Sequence, residues 1–382
     1  MRIVFTGGGT GGHFYPIIAV AEEVRALARE RRLLAPELFF FAPAPYDAAL
    51  LAKNEIKFVR IPAGKLRLYA DKKNITDLLA LAWGAMRALA LLFWHYPDVV
   101  FGKGGFGSVP TLLAARLLRI PIVIHESDSV PGRANRWAAK FASRIAVSFA
   151  SAADFFPTEK TAWTGHPVRH ALLLPAVQAG AHADEAGRVF LKLEPETPVL
   201  LVLGGSQGAR AINELIFKAF PQLVAQFQII HQTGSEHLAE AEARASVILR
   251  GNAHAARYRP FAFLNEDALR MAASAASLVV SRAGSTIFEI AGWGIPSIII
   301  PITESNGDHQ RKNAYAYAES GAAAVLEETN LSQALFLAEI TKIIGDDSRY
   351  GAMQEAARAF AKPTASRVIA EKLLEIGLSH ER

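Results

Sequence analysis

Short, unbroken apolar runs alternate along the chain with longer stretches in which apolar residues recur every three to four positions. In the first half the runs are IVF (3–5), LFFF (38–41), KFVRI (57–61), DVVF (98–101) and IVIH (122–125). Runs of that length suit strands buried on both faces of a parallel sheet, and the amphipathic stretches between them suit crossover helices. The pattern lapses between Pro167 and Pro198, where Ala, Gly and Pro dominate. It restarts with VLLVL (199–203), FQIIH (227–231), SLVVS (277–281) and SIIIP (297–301). The expectation is an α/β chain of two doubly wound domains, residues 1–166 and 167–363, joined through a linker in the 167–198 stretch. A last helical segment after Pro363, about 364–382, is expected to cross back onto the first domain.

With 382 residues, 51% of them apolar and 20% charged, the chain fills two globular domains and is too hydrophobic for disorder. It contains no cysteine, which excludes a disulfide scaffold, a thiol nucleophile and a thiolate metal site. The formal charge of +5 suits an anionic partner, and the lack of an arginine-rich tract argues against nucleic acid. MRIVFT runs straight into glycines, so the start reads as a strand and not as a secretory signal. The most apolar stretch, Leu78 to Trp94, is shorter than the roughly 20 residues of a spanning helix and carries Arg87, so no bilayer crossing is expected. Lys65, Arg67, Lys72 and Lys73 precede it, leaving two readings: a buried crossover helix, or an apolar patch with a basic rim resting on an anionic membrane.

Candidate chemistry sits where strands give way to helices. TGGGTGGH (Thr6 to His13) satisfies G-x-G-x-x-G through Gly7, Gly9 and Gly12, as a Rossmann-like unit would. The second strand, however, ends FFFAPAPY and offers no ribose-binding acid before Asp47, which disfavours a nicotinamide-dependent reductase, and His13 stands where a phosphate-binding loop needs lysine. What remains is a glycine loop that leaves clearance for a sugar, a phosphate or a reacting oxygen at a helix start. His13 is there either as a general base kept neutral by the helix dipole or as a plain cap. In the second half, Ser206 in GGSQGAR, Ser285 and Thr286 in SRAGSTIFE, and His309 and Gln310 in GDHQRKNA stand at further helix starts suited to phosphate and sugar hydroxyls. Glu289, one turn on from Thr286, reads either as a ribose ligand or as half of a capping box. Gly104 and Gly105 in FGKGGFGSVP, and Glu126 and Asp128 in IHESDSVPG, are candidate acceptor contacts; the two acids are either an acid/base pair or solvated loop carboxylates. No two aspartates are separated by a single residue, so metal-free chemistry is expected.

Taken in order, GGTGGH (8–13), GKGGFGS, HESDSVPG, ANRWAAKFA, G-x-PVR (165–169), GGSQGARAIN, HQTG (231–234), EIA-x-x-G-x-P (289–296) and HQ-x-x-NA (309–314) resemble the MurG family of peptidoglycan transferases, glycosyltransferase family 28, over nearly the whole chain. The resemblance implies a GT-B fold, two Rossmann-like domains facing across a cleft. It implies inverting transfer of N-acetylglucosamine from UDP-N-acetylglucosamine to the N-acetylmuramoyl 4-hydroxyl of an undecaprenyl-pyrophosphoryl pentapeptide acceptor, at the cytoplasmic face of a membrane and with no cofactor. It further implies that Thr10, Gly11 and Gly12 approach the donor sugar, with His13 as base or electrostatic helper. Arg169 and Ser206 would hold the pyrophosphate, the Leu264 backbone the uracil, Ser285 and Thr286 the phosphates, Glu289 the ribose and Gln310 the N-acetylglucosamine. Asp128 and His166 depart from the family's usual asparagines. A nucleotide-sugar 2-epimerase of the same fold is the alternative.

Overall fold

A computed structural model describes residues 1–65, 73–173, 181–205, 208–303 and 306–379. The chain divides into two compact units, Met1–Arg169 with Lys362–Arg382, and His170–Ala361. The boundary therefore follows Arg169 and not residue 166.

The first unit is a seven-stranded parallel sheet of order β3-β2-β1-β4-β5-β6-β7. Its strands are β1 (Arg2–Thr6), β2 (Glu37–Ala42), β3 (Ile56–Arg60), β4 (Val99–Gly102), β5 (Ile122–Glu126), β6 (Arg144–Val147) and β7 (Thr161–Trp163). The helices are α1 (Gly11–Glu30), α2 (Ala48–Lys53), α3 (Lys73–His95), α4 (Val109–Leu117) and α5 (Arg133–Ala138). In the second unit six parallel strands lie in the order β10-β9-β8-β11-β12-β13. They are β8 (Val199–Leu203), β9 (Gln228–Gln232), β10 (Tyr258–Phe261), β11 (Leu278–Ser281), β12 (Ser297–Ile299) and β13 (Ala323–Val325). Helices α6 (Ala181–Phe190), α7 (Arg210–Gln226), α8 (Leu238–Ile248), α9 (Glu266–Ala275), α10 (Thr286–Trp293), α11 (His309–Ala318), α12 (Gln333–Ile344) and α13 (Asp347–Phe360) belong to this unit. The last helix, α14 (Ala365–Ser379), returns to the first unit and packs on α1, placing Ile369, Ala370, Leu373 and Leu374 in the same core as Ile17, Val20 and Val24.

Both sheets have the doubly wound order in which strands grow outward in two directions from a switch point, between β1 and β4 in one unit and between β8 and β11 in the other. Loops leaving the carboxyl ends of those strand pairs cannot be covered by crossover helices, which go to opposite faces, so a crevice opens there. The strands at the switch points are buried: every residue of β4, β8 and β11 is inaccessible or nearly so, as continuous Val/Leu/Ile/Phe runs require.

Three expectations are corrected. The stretch between Pro167 and Pro198 is not simply a linker, since Ala181–Phe190 forms α6 and packs on α9. That contact depends on Gly187, where a Cβ would collide with the Met271 carbonyl and the Ser274 hydroxyl, and a close approach through small residues leaves little apolar periodicity to read. Also, α3 is longer than the apolar run suggested: polar residues extend it at the N-terminus, and Ile75–His95 is long and apolar enough by composition to cross a bilayer. It is also not a buried crossover helix. Leu92 and Ala88 face the interior and Gly84 packs against the Pro62 backbone, while Ile75, Leu79, Trp83, Met86, Phe93 and Trp94 are exposed. At 100° per residue these six share one side of the helix, an arc of roughly 100°. Arg67 and Lys72 of the expected basic rim lie outside the described residues.

Candidate active site

The first glycine loop leaves β1 and the GKGG loop leaves β4, so the switch point itself brings them together. Helix α1 begins at Gly11 with Thr10 as its N-cap in extended conformation, but the Thr10 hydroxyl makes no capping bond. It meets His13 Nδ1 at 2.8 Å instead. The reading of His13 as a cap therefore fails: it is the third residue of the helix, and its ring is held by the residue that would otherwise cap. The ring lies in a slot between two glycines. A Cβ on Gly8 would stand 3.1 Å from His13 Nδ1, and one on Gly105 would stand 3.3 Å from Nε2. Gly104 and Gly105, expected as acceptor contacts, also make close packing contacts within the first unit. Gly104 lies against the Asn135 amide and Gly105 against the His13 ring, both at positive φ.

The glycines of the first loop also differ in what they face. Gly9 has nothing within 4 Å of a built Cβ, so clearance there is open space. At Gly11 a Cβ would lie 2.7 Å from the Tyr46 hydroxyl, so the protein's own tyrosine crowds this position. Tyr46 packs edge-on against Tyr15, and burial, reinforced by Tyr46, pushes the Tyr15 phenol up to about 12. The Arg169 guanidinium lies 4.3 Å from the Tyr15 ring centre, a cation–π contact, and Arg169 belongs to the first unit. Neither tyrosine was singled out from sequence.

Desolvation in the slot, helped by the nearby Lys103 ammonium and opposed by the Asp128 carboxylate, lowers the His13 imidazole to about 4. The imidazole is consequently neutral at physiological pH. For Nε2 to accept a proton, Nδ1 must carry the hydrogen and donate it to Thr10 Oγ1, so the threonine selects the useful tautomer only when its own hydrogen points elsewhere.

Glu126 is not a solvated loop carboxylate. It ends β5, is 3% exposed, and accepts from the Asp128 and Gly132 N–H groups and the Asn135 amide. Its role is to fix the turn that carries Asp128, and burial raises its carboxyl above the usual range. Beneath it, His125 Nε2–H donates to the Gly165 carbonyl at 3.1 Å, and Ser148 bridges toward His166 Nδ1 at 3.0 Å. Burial holds both imidazoles well below their ordinary value.

In the second unit the loops after β8 and β11 occupy the second switch point. Ser206 lies outside the described residues. Its loop is fixed from both sides: Gly205 and Gly208 have positive φ, and Gln232 Nε2 donates to the Gly205 carbonyl at 3.0 Å. Gln232 Oε1 accepts the Leu264 N–H at 3.0 Å, so one side chain ties the glycine loop to the segment expected to meet uracil. Ser285 is the N-cap of α10 and Thr286 its first residue. A capping box with Thr286 as the cap is therefore not formed, and Glu289 lies one turn along, partly exposed. Gln310, near the start of α11, accepts the Ile302 N–H through Oε1, and the His309 ring folds over Gly307. Arg282 donates to Glu328, which in turn accepts the Thr303 N–H and hydroxyl, bracing the same loop.

Residues 3–147 match the glycosyltransferase family 28 N-terminal domain and residues 199–370 the family 28 C-terminal domain. The UDP-N-acetylglucosamine–N-acetylmuramyl-(pentapeptide) pyrophosphoryl-undecaprenol N-acetylglucosamine transferase of Treponema denticola is 34% identical over 97% of this chain and 96% of its own length. The transferase of the same name from Shouchella clausii is 37% identical over 97% of this chain and 98% of its own. Among solved structures, MurG of Acinetobacter baumannii superposes with a TM-score of 0.73 at 24% identity, covering 98% of this chain and 99% of that one. A UDP-GlcNAc 2-epimerase from Neisseria meningitidis, solved bound to UDP-GlcNAc, superposes nearly as well, with a TM-score of 0.70 at 14% identity, covering 98% of this chain and 100% of that one. The GT-B fold is thus shared by transferase and epimerase, and sequence separates them. The chain belongs to glycosyltransferase family 28, in the group of the N-acetylmuramyl-(pentapeptide) pyrophosphoryl-undecaprenol N-acetylglucosamine transferases.

Proposed function

We propose that the protein transfers N-acetylglucosamine from UDP-N-acetylglucosamine to the 4-hydroxyl of the N-acetylmuramoyl residue in undecaprenyl-pyrophosphoryl-N-acetylmuramoyl-pentapeptide, inverting the anomeric carbon. The observation that carries the reading is the neutral His13 imidazole, oriented by Thr10 and seated between two glycine loops at a switch point. In a single displacement the acceptor oxygen forms the new bond to the anomeric carbon, its proton passes to His13 Nε2, and the bond to UDP breaks with its electron pair leaving on the diphosphate. A base at about 4 is weak by itself. Two bound diphosphates add negative charge, which raises its proton affinity when the substrates are present. Arg169 and Ser206 hold the donor pyrophosphate in this reading, Ser285 and Thr286 the phosphates at the α10 start, Glu289 the ribose and Gln310 the sugar. The Leu264 N–H is already given to Gln232, so the uracil contact at Leu264 falls on its carbonyl.

The exposed apolar side of α3 supports a peripheral seat on a membrane, in this reading an anionic one at the cytoplasmic face, where a lipid-linked acceptor is presented. The test is steady-state transfer with UDP-N-acetylglucosamine and a lipid-linked muramyl acceptor. His13→Ala should lower kcat by a factor of about 10²–10⁴ and leave the donor KM within a few-fold. Near-normal turnover in that variant removes His13 from the mechanism, and conversion of UDP-N-acetylglucosamine to its 2-epimer without the acceptor favours the epimerase-like alternative.

A further inference from the structure

Lys103 is among the largest fully buried side chains of the molecule, at 1% exposed. Lysine almost never occupies such a place unless its charge is used, because burying an ammonium costs far more than burying a methionine of similar length. Its position is fixed on both sides: the Lys103 N–H donates to the Thr6 carbonyl at 2.8 Å, and its Cβ borders Gly7. The ammonium donates to the Ser127 hydroxyl, in the turn between Glu126 and Asp128. Glu126 has its oxygens committed to the Asp128 and Gly132 N–H groups and the Asn135 amide, and it steadies the ammonium by charge.

We propose that Lys103 is a positioning residue for the transfer: its buried ammonium secures the 126–128 turn through Ser127, and its side chain, which shares the surroundings of Gly7 with His13, sets a positive charge near the imidazole. The inference rests on the reading of His13 as the base. The groups bearing on His13 come from four elements: Thr10 at the start of α1, Lys103 after β4, Asp128 after β5 and His166 after β7. Asp128 favours the imidazolium and Lys103 opposes it; Lys103 similarly lowers His125 and His166. Burial also lowers Lys103 itself, to about 8, against the pull of Glu126 and Asp128, so its charge persists at neutral pH and fades on the alkaline side.

The experiment follows the imidazole directly. In full-length protein with isotope-labelled histidine, the His13 resonance, assigned by its loss in His13→Gln, is titrated by NMR in the parent and in Lys103→Met. Loss of the neighbouring charge should raise the His13 midpoint by about one unit, and the acid limb of kcat/KM should move by the same amount. Resonances of His231, buried in the second unit, should stay in place as a reference, and an unchanged thermal transition of the first unit reports its intact fold. An unmoved His13 midpoint in the folded variant overturns the proposal, and Lys103→Gln gives the same comparison where the methionine variant does not fold. A midpoint that rises while the acid limb stays fixed upholds the action of Lys103 on the ring and refutes instead the role of His13 as base.

Discussion

Replacing Gly105 by alanine tests whether the slot around His13 is what makes this imidazole useful. Gly105 has φ 75° and ψ 165°, a region that only glycine enters without strain. The new Cβ would lie 2.9 Å from Gly8 Cα, 3.2 Å from Gly8 N and 3.3 Å from His13 Nε2. Two of these neighbours are backbone atoms, so the two loops must separate and no side chain can absorb the contact. Strain of about 1–3 kcal/mol from the dihedrals, with a further ~1 kcal/mol from the crowding, gives a loss of roughly 2–4 kcal/mol. For a unit of this size each kcal/mol lowers the melting midpoint by about 2–4 °C, so the first unit's transition should fall by about 4–16 °C. A ring displaced by about 1 Å should also cost roughly 100-fold in kcat. Calorimetry and the transfer assay measure the two effects. Gly9→Ala is the matched control: its Cβ meets nothing, so the melting midpoint should barely change. In a His13→Ala background, Gly105→Ala should lower turnover little further, because the ring it displaces is gone. A Gly105→Ala protein that melts and turns over like the parent would refute the slot.

Two further outcomes are expected. His125 and His166 are held neutral by burial, well below the value of about 6.5 at which the unfolded chain binds protons. Between those values the unfolded state binds more protons, so stability is complete above pH ~6.5 and declines as pH falls below it. His166→Asn removes one such group, and denaturant unfolding should then show a shallower loss of stability between pH ~6.5 and ~4.5. Equal slopes in variant and parent would refute this reading. On α3, Trp83 and Trp94 are 57% and 82% exposed. The double change Trp83→Ala with Trp94→Ala should weaken binding to vesicles of anionic phospholipid by about tenfold or more, while transfer to a water-soluble short-chain acceptor is unchanged. Unaltered vesicle binding would locate the membrane contact elsewhere.

The sequence by itself determined the class of the chain. Nine short apolar runs correspond to nine of the thirteen strands among the described residues; for all but β3, whose Lys57, Phe58 and Arg60 are exposed, burial on both faces calls for an apolar run that announces itself. The strands that were not legible are short or compromised: RIAV and TAW toward one edge, YRPF with its proline at the edge of the second sheet, and AAV at the opposite edge. Edge strands bury less and carry less pattern. Helix starts bearing Ser285, Thr286 and Gln310 were also readable, since strand, glycine and helix follow one another locally.

What only the tertiary structure decided is the partnership among loops far apart in the chain. His13 was visible as a residue, but its slot is made by Gly105, its tautomer depends on where the Thr10 hydroxyl points, and its proton affinity answers to Lys103 and Asp128. Glu126, which the sequence left between an acid/base partner and a solvated loop carboxylate, is buried and braces its turn, while Gln232, which joins the β8 loop to Leu264, gave no local signal. Pattern along a chain records which residues avoid water. Which charges share a crevice is settled by strand order, and the 3-2-1-4 order of the first sheet sets residues 7–13 beside residues 103–105.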